Sequence, residues 1–68
     1  MNEYPPGSYI ADAMSRLPAP GPDVPPQTVE IDARPHWGRY RVTFVARRNP
    51  QEEVPHYWFW AMESGKRL

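Results

Sequence analysis

In a chain of 68 residues, the side chains able to do chemistry are few. His36 and His56 each follow a proline, Ser8 and Ser64 lie toward the ends of the patterned region, and there is no cysteine. Nucleophilic catalysis needs a hydroxyl or thiol held within hydrogen-bond reach of a base, and no motif here sets such a pair. A metal site drawn from His36, His56, Asp32 and Glu63 lacks the spacing of a known ligand set. Glu52-Glu53 reads as a solvated loop pair, because a carboxyl needs burial to serve as a general acid near neutral pH. Ser64-Gly65-Lys66 lacks the earlier glycine and the strand–helix setting of a phosphate loop. So small a core also leaves no room for a deep pocket. The expectation is a non-enzyme with no cofactor and no metal.

Binding chemistry is better supplied. Trp37, Arg39, Arg41, Arg47, Arg48, Tyr57 and Phe59 gather in the second half of the chain. Tyr, Trp and Arg dominate binding hot spots, and the same residues stack on bases and neutralise phosphates. The formal net charge is zero, but the charges are segregated. Residues 1–33 carry five acids and one base, net −4, and residues 34–68 carry seven bases and three acids, net +4. Seven of the ten prolines fall within the first 26 residues, and seven of the nine aromatics lie from Trp37 onward.

Those residues need elements to hold them. Pro5-Pro6-Gly7 reads as the end of an extended arm, 1–7. Ser8 then suits an N-cap, and Ile10, Ala13, Met14 and Leu17 share one face of a helix over 8–17. Asp12 and Arg16 suit the helix dipole, and Pro18 stops the helix. Residues 18–27 form a polyproline-type connector. Its Pro22 and Pro25 have the spacing of an SH3 or WW ligand, but a strap over this protein's own tryptophans is the preferred reading. From Thr28 the apolar period becomes two, giving strands over 28–34, 39–48 and 56–63. Pro35 to Gly38 make a turn, 49–55 a second connection, and Ser64-Gly65 a frayed end.

The fold class expected is therefore α+β: a short N-terminal helix packed on a three-stranded antiparallel β-meander, with a Pro-rich arm and connector. Pairing Arg34 with Arg39 sets Ile31 against Val42, Val29 against Phe44 and Asp32 against Arg41. In the second hairpin, Arg48 against His56 sets Phe44 against Trp60. A slip of two residues keeps every side chain on its face, so the faces are better specified than the register. The core comprises Ile10, Met14, Leu17, Val29, Ile31, Val42, Phe44, Trp58 and Trp60. A core of this size contributes at most about 3–5 kcal/mol.

The other sheet face would carry Arg39, Arg41, Arg47, Tyr57 and Phe59, with Trp37 at the hairpin tip and Arg48, Lys66 and Arg67 at the rim. The arm and strap either cover it or leave it for a partner. Trp37 and Trp58 have the separation of the two tryptophans of a WW domain, but the first lies in a turn and the closing proline is absent, so no family is assigned. The functional expectation is a small protein-binding module, an adaptor or inhibitor acting on a larger protein complex, of a kind common on phages and other mobile elements. Nucleic-acid binding through the basic, aromatic face is the alternative. Nothing approaches the roughly 18 apolar residues of a membrane span, and Met1 to Pro6 lack the pattern of a signal peptide. The expected location is cytoplasmic, with no membrane partner, and the expected state is a monomer or a sheet-edge homodimer.

Overall fold

The alternating segments pair as an antiparallel sheet of order β1-β2-β3, with β1 at Gln27–Asp32, β2 at Arg39–Arg48 and β3 at Trp58–Arg67. One helix, α1, spans Gly7–Ser15. The computed structural model describes residues 1–49 and 58–68. Residues 50–55 of the second connection, His56 and Tyr57, with the pairing and start of strand assigned to them, lie outside the described residues.

The helix begins one residue earlier than its sequence suggests. Pro6 occupies the N-cap and makes no side-chain cap bond, so Ser8 is not the cap. The Pro6 carbonyl instead accepts from the N–H groups of Tyr9 (3.0 Å) and Ile10 (3.4 Å). Proline suits this end because a helix start has no use for its missing donor. Asp12 and Arg16 do not serve the dipole; they pair with each other at 2.8 Å across one turn. The regular helix ends at Ser15, whose hydroxyl donates to the Asp12 carbonyl at 2.6 Å. Leu17 lies beyond the helix, because a residue preceding proline is driven from helical geometry.

The first hairpin keeps the expected faces but slips by two residues. Asp32 faces Arg39, Glu30 faces Arg41, and on the inner side Ile31 faces Tyr40 and Val29 faces Val42. Asp32 accounts for the slip. Its carboxylate accepts from the backbone N–H of Arg34 at 3.1 Å and from that residue's guanidinium at 2.9 and 2.6 Å. An aspartate that bonds the backbone two residues on forms its own turn, and Arg34 leaves the strand. The hairpin closes instead through Ala33 N–H to Gly38 O, at 2.8 Å. Gly38 has φ +97°, a conformation open mainly to glycine.

In the second hairpin Arg48 faces Trp58, Ala46 faces Trp60 and Phe44 faces Met62. The register is again two residues from the expected one. A bulge then intervenes: Thr43 faces Ser64, so Glu63 has no partner. Beyond it, Gly65 faces Val42 and Lys66 faces Arg41. Ser64 and Gly65 are strand residues, not a frayed end.

Ile10, Ile31, Ala33, Tyr40, Val42 and Phe44 form the buried core, and Val42 and Phe44 have no exposed surface. Tyr4, Tyr9, Ala13, Met14, Leu17, Val29 and Trp60 pack around them half-buried. Trp58, expected inside, does not join this cluster. Tyr40 is the buried aromatic that the expected core omits.

The arm and connector close over this same side. Glu3 N–H donates to Gly65 O at 3.0 Å, and the Trp60 indole N–H donates to Pro18 O at 2.9 Å. Gly65 is essential to the arm's path. A Cβ there would lie 2.5 Å from both the Glu3 carbonyl oxygen and the Tyr4 ring. Among the described residues, no helix is long and apolar enough to cross a membrane.

Candidate functional site

With helix, arm and connector on the inner side, the outer side of the sheet keeps its own side chains in view. They form successive rungs across the strands. At one end Asp32 stands beside Arg39. Next come Glu30, Arg41 and Lys66 in a single row. Thr28, Thr43 and Ser64 make a hydroxyl row, in which the two threonines share a hydrogen bond at 2.9 Å. Val45 and Ala61 follow, then Arg47 beside Phe59. The face thus runs from charged, through hydroxyl and apolar, to an aromatic–arginine rung.

The electrostatics of the charged end are uneven. Asp32 is committed to Arg34, whose guanidinium and backbone N–H bonds hold its carboxyl well below the usual range. Glu30 is shared: one oxygen lies 3.5 Å from Arg39 Nη2 and the other 3.3 Å from Arg41 Nη2. Neither Arg47 nor Lys66 has an ion-pair partner among the described residues. Arg41 and Lys66 face each other directly, an arrangement of like charges that disfavours the sheet.

Arg39, Arg41, Arg47 and Phe59 therefore share one face, and Phe59 is 37 % exposed. Trp37 is in the β1–β2 turn and 50 % exposed. Arg48 is at the far end of β2 opposite Trp58, on the inner-side alternation. Arg67 belongs to the inner alternation too, opposite Tyr40, with its guanidinium lying over Gly38. Tyr57 lies outside the described residues.

Two placements on this face were not legible in the sequence. The register that pairs Arg34 with Arg39 sets Glu30 on this face opposite Thr43, but Glu30 stands opposite Arg41, because of the hairpin slip. Lys66 was expected at the rim and stands in the middle row, because the bulge reverses the alternation after Met62. A period-two reading of β3 puts Lys66 on the side of Trp60 and Met62. The one signal near Glu63 is Gly65, since a glycine inside a strand often marks a bulge.

A concavity of about 300 Å³ lies between α1 and β1 and is lined by Tyr9, Asp12, Ala13, Arg16, Glu30, Ile31 and Asp32. Its acids are all paired with arginines. No group of three His, Asp or Glu residues is placed to hold a metal ion among the described residues. Compared with protein-family models, curated proteins and solved structures, the chain matches none.

Proposed function

We propose that the protein is a non-enzymatic protein-binding module, an adaptor or inhibitor that docks on a larger protein or complex through the outer face of its sheet. The observation supporting this reading is the one-sided packing: arm, helix and connector all engage the inner face. The outer face combines arginines, an apolar strip and an exposed phenylalanine, the composition favoured at hot spots.

Nucleic acid is the weaker reading. The Glu30 carboxylate sits between two of the arginines and lowers the local positive potential. Phe59 is the one aromatic on the strands of this face among the described residues, whereas single-strand binding stacks successive bases on several rings.

Affinity capture with the whole chain as bait, from the source organism's extract, tests the proposal. Arg41→Ala and Phe59→Ala should each keep the circular dichroism spectrum and lose a stoichiometric protein partner. Retention of that partner by both variants would argue against this face. An oligonucleotide gel shift at low salt, falling steeply as salt rises, would favour nucleic acid instead.

A further inference from the structure

The loosest contacts on the outer face indicate what it accepts. Charge-assisted bonds between arginine and carboxylate settle near about 2.7–2.9 Å. Asp32 and Arg34 come at least this close, at 2.6 and 2.9 Å. Glu30 does not: it straddles Arg39 at 3.5 Å and Arg41 at 3.3 Å, with all three side chains about half exposed. Beyond Arg41 stands Lys66, a second cation directly opposite with no carboxylate of its own among the described residues. The row Glu30–Arg41–Lys66 is one negative charge short.

We infer that the outer face binds carboxylates of an extended acidic segment of a partner protein, between Arg41 and Lys66 and at Arg39, and that Glu30 is a built-in competitor for those arginines. The inference rests on the protein-binding reading above. Arg39 and Arg41 are two residues apart on one strand, a separation of about 6.6–6.8 Å. Acidic side chains at alternate positions of an extended segment have that same spacing. The next two rows hold no cation: they offer hydroxyls at Thr43 and Ser64, and apolar groups at Val45 and Ala61, before Arg47 beside Phe59. A polyanion charged at every step would find no cation there. A segment with alternate acids followed by an apolar residue matches row by row. When it binds, its carboxylate relieves the repulsion between Arg41 and Lys66, and Glu30 swings out to water.

The test uses the whole protein and three probes: a labelled peptide with two glutamates at alternate positions followed by leucine, its glutamine counterpart, and a single-stranded oligonucleotide. Fluorescence anisotropy should show the glutamate peptide binding and the glutamine peptide not. Lys66→Ala should weaken the glutamate peptide by about tenfold and Glu30→Gln should tighten it by about tenfold, as expected for close charges across an interface. Should Glu30→Gln lose the fold, Lys66→Glu carries the same test, since an acid opposite Arg41 should weaken the peptide by at least about tenfold. Weakening by Lys66→Ala with no change in Glu30→Gln overturns the competitor role and leaves the binding face in place. Equal binding of the glutamine peptide, tighter binding of the oligonucleotide, or no glutamate-peptide binding by either wild type or Glu30→Gln overturns the inference. Partner capture through Phe59 stands or falls separately.

Discussion

Asp32 shows how one side chain sets the geometry of a hairpin. Its carboxylate holds both the guanidinium and the backbone N–H of Arg34, and thereby ends the strand. The same bonds depress its pKa, the side-chain bond from Arg34 first and the backbone bond second. A carboxyl depressed in the folded state stabilises the fold above its unfolded pKa, and that contribution is lost as pH falls through the folded value. Thermal stability should therefore decline on acidification below about pH 4. Asp32→Asn should flatten that acid limb, as read by melting temperature against pH. Identical limbs in the two proteins would remove the assignment. The sequence shows an acid near an arginine; it does not show that the acid will take the backbone of its neighbour rather than face Arg41 across the sheet.

At the scale of elements, the arm and β3 depend on one another through Gly65. The sequence presents Ser64-Gly65 as a chain end, yet Gly65 is buried and its missing side chain is the space the arm occupies. Gly65→Ala should cost about 1–3 kcal/mol, the usual range for overpacking, measured by urea denaturation. In a chain shortened by its first four residues the colliding atoms are gone, so the same substitution should cost markedly less. An equal cost in both backgrounds would separate the two elements. Helix, meander and the faces of β1 and β2 were readable from periodicity, because the alternation at Val29 and Ile31 and at Tyr40, Val42 and Phe44 fixes which side is apolar. Registers were not, because a two-residue slip leaves that alternation unchanged.

For the whole molecule, charge segregation becomes contact between halves: Glu30 from the acidic front lies against Arg39 and Arg41 from the basic back. The segregation also bears on self-association. β1 is an edge strand, and symmetric antiparallel pairing of two copies must match residues of the same face. Centred on Glu30, it opposes Glu30 to itself; centred on Ile31, it opposes Glu30 to Asp32; centred on Val29, it sets Pro26, which has no N–H to donate, against Asp32. Like charges directly opposite disfavour pairing. The other edge, on β3, is engaged by the arm at Gly65. Sedimentation equilibrium at neutral pH should accordingly give a monomer, and a dimer that Glu30→Arg dissociates would contradict this account.

The sequence by itself determined the class of fold, the helix, the order of three antiparallel strands and the side of the sheet on which Arg39, Arg41, Arg47 and Phe59 stand. Those properties follow from local periodicity and from proline's restriction of the backbone, which act over a few residues. The tertiary structure decided the rest. A side chain turning back on its own hairpin shifted Glu30 to Arg41, and a bulge carried Lys66 to the same row. One-sided packing of arm and connector left the outer face open. The packing and the bulge depend on contacts between residues distant in the chain, and the hairpin register, which several pairings with the same apolar alternation could satisfy, was chosen by a side-chain bond to the turn two residues on.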